Sequence, residues 1–193
     1  MAFSELPDRS AGDAVTVAMW DAVKGNLNAG VMRPIAKSVL ASSAASVTFS
    51  SIAADWMDLL LVVRSRSTSP TAALAGLRFN SDTTANYNAI RQYAAASIGG
   101  FAQALQTQLE FAGITPSSSL GHSPGYVWIH DYKSSGHKCV TFQYALTGGG
   151  ASEAGRGGGV WRSTAVIDTV TVVHPSASFA AGSSFYLYGI AGV

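Results

Sequence analysis

Lys138-Cys139-Val140-Thr141-Phe142-Gln143-Tyr144 alternates with a period of two, which is the spacing of side chains along a β-strand and not along a helix. The same period governs the chain from about Ser46 onward, where Val47 and Phe49 alternate with polar neighbours. Trp56 to Arg66 is a longer run with branched residues at its centre and reads as a buried strand. Further strands are expected at Gly76 to Ser81, Ile90 to Ser97, Ala104 to Phe111, Gly125 to Tyr132, Lys138 to Leu146, Val160 to Thr164, Ile167 to Val173 and Ser184 to Ile190. Turn-forming stretches such as Ser67-Thr68-Ser69-Pro70, Asn80-Ser81-Asp82 and Ser134-Ser135-Gly136 separate them. Many short strands with no long helix between them predict an all-β chain, an antiparallel β-sandwich of the jelly-roll kind. The Ala-rich Tyr93 to Ala96 is open to a second reading, as a helical turn.

The first 40 residues follow a different pattern. Thr16 can cap a short amphipathic α-helix in which Val17, Trp20, Val23 and Leu27 recur at steps of three and four, with Asn28 and Gly30 placed to stop it. So short a helix is marginal alone, so its Trp20 face has to pack on its own domain or on a neighbouring subunit. Gly30 through Ile35 then reads as an extended arm, since Arg33 precedes Pro34. The expected division is an N-terminal anchor over 1–40 and a sandwich over 41–193.

Composition narrows the function. Charged residues are only 12% of the 193, against an apolar share of 48%. A surface so poor in charge suggests that other subunits cover part of it. The net charge of +1 comes from 12 basic and 11 acidic residues without a basic run, so no nucleic-acid partner is expected. Met1 to Asp8 lacks the pattern of a signal peptide, and the longest wholly apolar run, Leu59 to Val63, is far below the ~20 residues of a membrane helix. A soluble protein of a reducing cytoplasm is expected, with the single Cys139 as a small buried hydrophobe.

Signs of catalysis are scarce. His122, His130, His137 and His174 lack the spacing of a metal pair, and no Gly-x-Ser-x-Gly elbow occurs. His130-Asp131-Tyr132-Lys133 gathers polar groups at a hairpin turn, but adjacent strand residues face opposite ways, so His130 and Asp131 form no pair. Neither an enzyme nor a cofactor is expected. The glycine-rich Thr147 to Gly159 lacks the Lys-Ser/Thr of a phosphate loop and reads as a mobile hairpin end. Gly149, Arg156 and Gly158 in it are candidates for touching a partner. Tyr126, Trp128, Trp161, Tyr186 and Tyr188 are candidate interface aromatics; Tyr126, Trp128, Trp161 and Tyr132 are also candidates for a carbohydrate platform, which a host surface glycan would occupy.

Several segments resemble a jelly-roll domain of tailed-bacteriophage structural proteins. They are Leu77-Arg78-Phe79-Asn80-Ser81-Asp82 with Asn86-Tyr87, Ile129-His130-Asp131-Tyr132 with Lys138, Ile167-Asp168-Thr169-Val170, and the ending Phe185-Tyr186-Leu187-Tyr188-Gly189-Ile190. Val15 to Asn28 resembles the short helix that opens many virion proteins, with Asp21 where asparagine is common. The resemblance implies a virion protein assembled in the bacterial cytoplasm, a homotrimer, and contacts with other virion proteins. A capsid decoration or cement protein held by its N-terminal arm fits an anchor plus one domain. A small tail fibre or baseplate subunit and a free carbohydrate-binding module are the alternatives.

Overall fold

The computed structural model describes residues 32–119, 121–146 and 152–192. The helix expected around Val17, Trp20, Val23 and Leu27 lies outside them, as does Gly149. Among the described residues there is no helix, and the strands form two antiparallel sheets packed as a sandwich.

The larger sheet holds β1 (Met32–Val39), β3 (Asp58–Ser65), β5 (Tyr87–Ala94), β6 (Ile98–Gln106), β8 (Ser123–His130), β9 (Lys138–Leu146), β10 (Glu153–Trp161) and β12 (Ser184–Ile190). Their order across it is β1-β12-β3-β8-β9-β10-β5-β6. The smaller sheet holds β2 (Ser46–Phe49), β4 (Ala73–Phe79), β7 (Leu109–Ile114) and β11 (Val170–Val173), in the order β2-β11-β4-β7. The core lies between them: Leu59, Leu61, Val63, Val127, Ile129, Phe185 and Leu187 from one sheet meet Leu77, Phe79, Leu109, Phe111, Val170 and Val172 from the other, all fully buried. At about 1.5–3 kcal/mol for each large apolar side chain removed from water, this layer is the main stabilising term.

Strands with one face in this core fall where their alternation puts them, and β9 and β12 match their expected limits. As expected for β12, Phe185 and Leu187 point inward while the half-buried Tyr186 and Tyr188 point out. Four readings need correction. Met32–Val39, assigned to the arm, is an edge strand paired with β12; Pro34 fits there because an edge strand can spare an N–H. Ala104 to Phe111 is not one strand: β6 and β7 belong to different sheets. The alternative helical turn at Tyr93 to Ala96 is not formed: Tyr93 and Ala94 end β5, and Ala95 and Ala96 lie in the bend that leads to β6.

The fourth correction is the largest. The supposed hairpin end is, from Glu153 onward, a strand inside the large sheet, paired with β9 on one side and β5 on the other. Its alternate glycines face inward and leave room for neighbours. A Cβ on Gly155 would stand 2.4 Å from Tyr144 Cζ, and one on Gly157 would stand 2.2 Å from the Ile90 carbonyl oxygen and 2.5 Å from Phe142 Cζ. The glycines here are imposed by close packing, not by mobility.

Cys139 also departs from expectation. It is exposed on the outer face, because the inward phase of β9 belongs to Lys138, Val140, Phe142, Tyr144 and Leu146. Lys138 is fully buried, and its ammonium group donates to the carbonyls of Ser134 and Gly136 at 2.6 Å each. Burial pushes its pKa down, with Asp131 acting the other way. The lysine caps the β8–β9 turn from inside, where its charge is met by carbonyl dipoles.

Candidate functional site

Leu77 to Asp82, Asn86-Tyr87, Ile129 to Tyr132 and Ile167 to Val170 knit one end of the sandwich. Asn80 and Ser81, both in the left-handed conformation with φ of 49° and 57°, turn the chain after β4. Asn80 Oδ1 accepts from the amides of Asp168 and Thr169 at 3.0 and 3.2 Å, and its Nδ2 donates to the Val166 carbonyl at 2.7 Å. The Tyr87 hydroxyl accepts from the Phe79 amide at 3.0 Å, and the Ile167 amide donates to the Tyr132 carbonyl at 3.0 Å. In the closing strand, Gly189 lies beneath the indole of Trp56, where a Cβ would come within 2.1 Å of the ring. These residues hold the fold, and Tyr132 and Trp161, two of the expected platform aromatics, are buried among them. Trp161 is therefore not an interface residue of the sandwich: its ring packs between Phe79 and Tyr87, and its N–H is taken by Asp82.

The remaining candidates converge on the outer face of the large sheet. Register places Tyr186, Val62, Tyr126, Gln143, Arg156 and Gln92 side by side across six strands. The next row is Tyr188, Leu60, Trp128, Thr141, Gly158 and Ile90. Residues expected in a glycine loop and residues expected at an aromatic interface thus share one surface. Gln143 and Gln92 are the partners that sequence reading missed. Gln143 lies on the outward parity of β9, yet its place beside Tyr126 and Arg156 follows only once strand order is known.

The Tyr126–Gln92 row stands as a ridge between two hollows. On one side a cleft of about 950 Å³ has Ala94, Ala145 and Ala154 in its lining; on the other a smaller hollow of about 420 Å³ reaches Thr141 and Gly158. The Tyr126 hydroxyl donates to Gln143 Oε1, which fixes the carboxamide with its N–H groups free of partners among the described residues. Arg156 is exposed and has no hydrogen-bond or ion-pair partner among the described residues. At the end of the face, Trp128 Nε1 donates to Asp58 Oδ2 at 2.7 Å, the Asp131 amide donates to Asp58 Oδ1 at 2.7 Å, and the His130 ring stacks on Trp128. His130 Nδ1 stands 3.6 Å from Asp58 Oδ2, so the carboxylate that His130 approaches is Asp58 and not its sequence neighbour Asp131.

One arrangement has the outline of a nucleophile and a base. Ser67 Oγ lies 2.9 Å from His174 Nε2, and both residues are buried. However, His174 Nδ1 accepts from the amides of Ser176 and Ala177 at 3.3 and 2.9 Å. The neutral ring must then carry its proton on Nε2 and donate to the serine, which is the wrong tautomer for a general base. Burial also pushes the His174 pKa down. Among the described residues no group of three or more His, Cys, Asp or Glu is placed to hold a metal ion.

Compared with protein-family models, curated proteins and solved structures, the chain matches none.

Proposed function

We propose that the chain is a structural subunit of a tailed-bacteriophage particle, a capsid decoration or cement protein with no catalytic role, in which a jelly-roll sandwich associates with further copies of itself. The jelly-roll reading is supported by the strand order. Strands β1-β12-β3-β8 and β2-β11-β4-β7 trade successive segments between two four-stranded halves, as two interlocked Greek keys do. The β5–β6 and β9–β10 pairs then extend one half.

The observation that carries the assembly reading is β6. It is nine residues long, stands at the open edge of the large sheet, and contains neither a charged residue nor a proline. Ile98 is 90% exposed, Phe101 49% and Leu105 58%. Folded proteins blunt such edges with charge, proline or cover, because an open edge templates pairing with another chain. The opposite edge is blunted by charge and proline: β1 carries Arg33, Pro34 and Lys37, whereas the device β6 has is a register irregularity opposite Tyr87 to Ala89 of β5. A homotrimer that covers β6, on a virion assembled in the bacterial cytoplasm, is the arrangement we infer. Contacts to the major capsid protein would then be made by the N-terminal arm.

The cleft on the outer face favours one alternative, a small tail fibre or baseplate subunit whose sandwich meets the host. The test is cryo-electron microscopy of purified particles, paired with addition of a chain lacking residues 1–31 to undecorated ones. Copies on the capsid lattice, lost with the deletion, are expected. Copies confined to the tail would favour the alternative, and absence from particles would remove both.

A further inference from the structure

The outer-face cleft has a chemistry that the assembly reading leaves unused. We infer that it is a binding site for an acidic saccharide, a sugar chain bearing carboxylates, held by Arg156, Gln143, Gln92 and Tyr126.

The geometry comes first. The four side chains stand in one register row on adjacent strands, and the next row toward the β9–β10 turn is Pro124, Ala145, Ala154 and Ala94. The surface therefore steps down from long polar side chains to a floor of methyl groups, and this step is what opens about 950 Å³. Cavities of about 300–1,000 Å³ are the size of small-molecule sites.

The charge comes next. Among the described residues Arg156 is the sole charged residue lining the cleft, and no acid joins it there. Among the described residues its guanidinium, the Gln143 carboxamide nitrogen and the Gln92 side chain are donors without a hydrogen-bond partner. A donor-rich surface with one planar cation suits a ligand rich in acceptors that carries a carboxylate for bidentate capture. Flat Ala methyls beside the ring of Tyr126, which is 40% exposed, offer an apolar seat for the face of a pyranose.

Other anionic ligands fit less well. Nucleic acid is held by several phosphate contacts, and the cleft has one cation. A peptide added as a strand needs an open edge, but the ridge runs across the interior of the sheet, and its Ala floor has no pockets for side chains.

The test is a glycan array carrying uronate- and sialate-containing oligosaccharides beside neutral ones, with poly-glutamate as an anionic control, read with the full chain and with Arg156→Gln and Gln143→Ala. Retention of acidic saccharides is expected, falling about tenfold or more in Arg156→Gln, as loss of a hydrogen bond to a charged group implies. Because Arg156 is exposed and unpaired, its replacement leaves the fold intact, which circular dichroism verifies. No retention of any acidic saccharide, or retention unchanged in Arg156→Gln, overturns the assignment. Equal, Arg156-dependent retention of poly-glutamate overturns the saccharide class.

Discussion

The indole N–H of Trp161 donates to Asp82 Oδ2 at 2.7 Å, joining the end of β10 to the turn that follows β4. The same carboxylate accepts from the Thr84 amide at 2.8 Å, the Thr84 hydroxyl at 2.5 Å and the Asn86 carboxamide at 2.9 Å. Burial by itself raises the Asp82 pKa, but these four donors outweigh it and hold the carboxyl far below the usual range. A carboxylate with a depressed folded pKa stabilises the fold fully above its unfolded pKa, about 3.9, and loses that contribution as pH falls toward the folded value. Asp82→Asn should therefore cost about 1–3 kcal/mol at pH 7, and its deficit should shrink below about pH 4. Urea titrations of both proteins at pH 7 and pH 3 check this; an equal deficit at both would deny the carboxylate its role.

The inward glycines of β10 make a second prediction. At Gly157 a Cβ meets the Ile90 carbonyl, which cannot move without breaking the ladder, whereas at outward-facing Gly158 the nearest contact is the Val140 carbonyl at 3.1 Å. Gly157→Ala should cost about 2 kcal/mol or more through overpacking, and Gly158→Ala less than about 1 kcal/mol. Denaturation midpoints of the two variants give the comparison, and equal costs would mean that the strand yields at Gly157.

These two sites also show what could be read in the sequence. Strands β9 and β12 were legible because one face of each is buried, so burial writes a period of two into the residues. Strand β10 was not, because the space at its inward positions is taken by the rings of Tyr144 and Phe142 and the Leu109 side chain, and Gly155, Gly157 and Gly159 carry no apolar signal of their own. Cys139 departs from its expected burial because of register: hydrophobicity favours burying the thiol, but the inward phase of β9 buries Lys138 instead, which is tolerated because two carbonyls meet its charge. The candidate site was half legible. Tyr126 and Arg156 could be named, but their adjacency depends on β9 lying between β8 and β10.

His174 predicts how stability falls in mild acid. Burial lowers its pKa, and His122 is lowered in the same direction by burial and by Arg66 and Arg64. An unfolded histidine takes up a proton near pH 6.5 while these two resist, so the unfolded state gains protons and stability falls as pH drops from about 7 toward 5. His174→Asn keeps an acceptor for the Ser176 and Ala177 amides but cannot titrate. The variant should be less stable at pH 7.5 and show a flatter dependence between pH 7 and pH 5. Urea midpoints across that range measure it, and an unchanged slope would assign the acid sensitivity elsewhere.

The open edge predicts the effect of a single charge. Phe101 lies beside the Arg91 guanidinium, whose carbon stands 5.7 Å from the ring centroid, and it is half exposed on a strand with no charge of its own. If copies associate through β6, then Ile98→Lys or Gln103→Lys introduces a cation that must be desolvated at each contact, and neither position belongs to the buried core. Both variants should sediment as monomers at concentrations where the parent chain is oligomeric, with circular dichroism unchanged. Ile98, 90% exposed, is the stricter test, since Gln103 lines a small hollow with Arg91 and Glu110, where a lysine also meets charges of its own chain. Oligomers that survive both substitutions would place the self-contact on another surface and leave the β6 edge to a different partner.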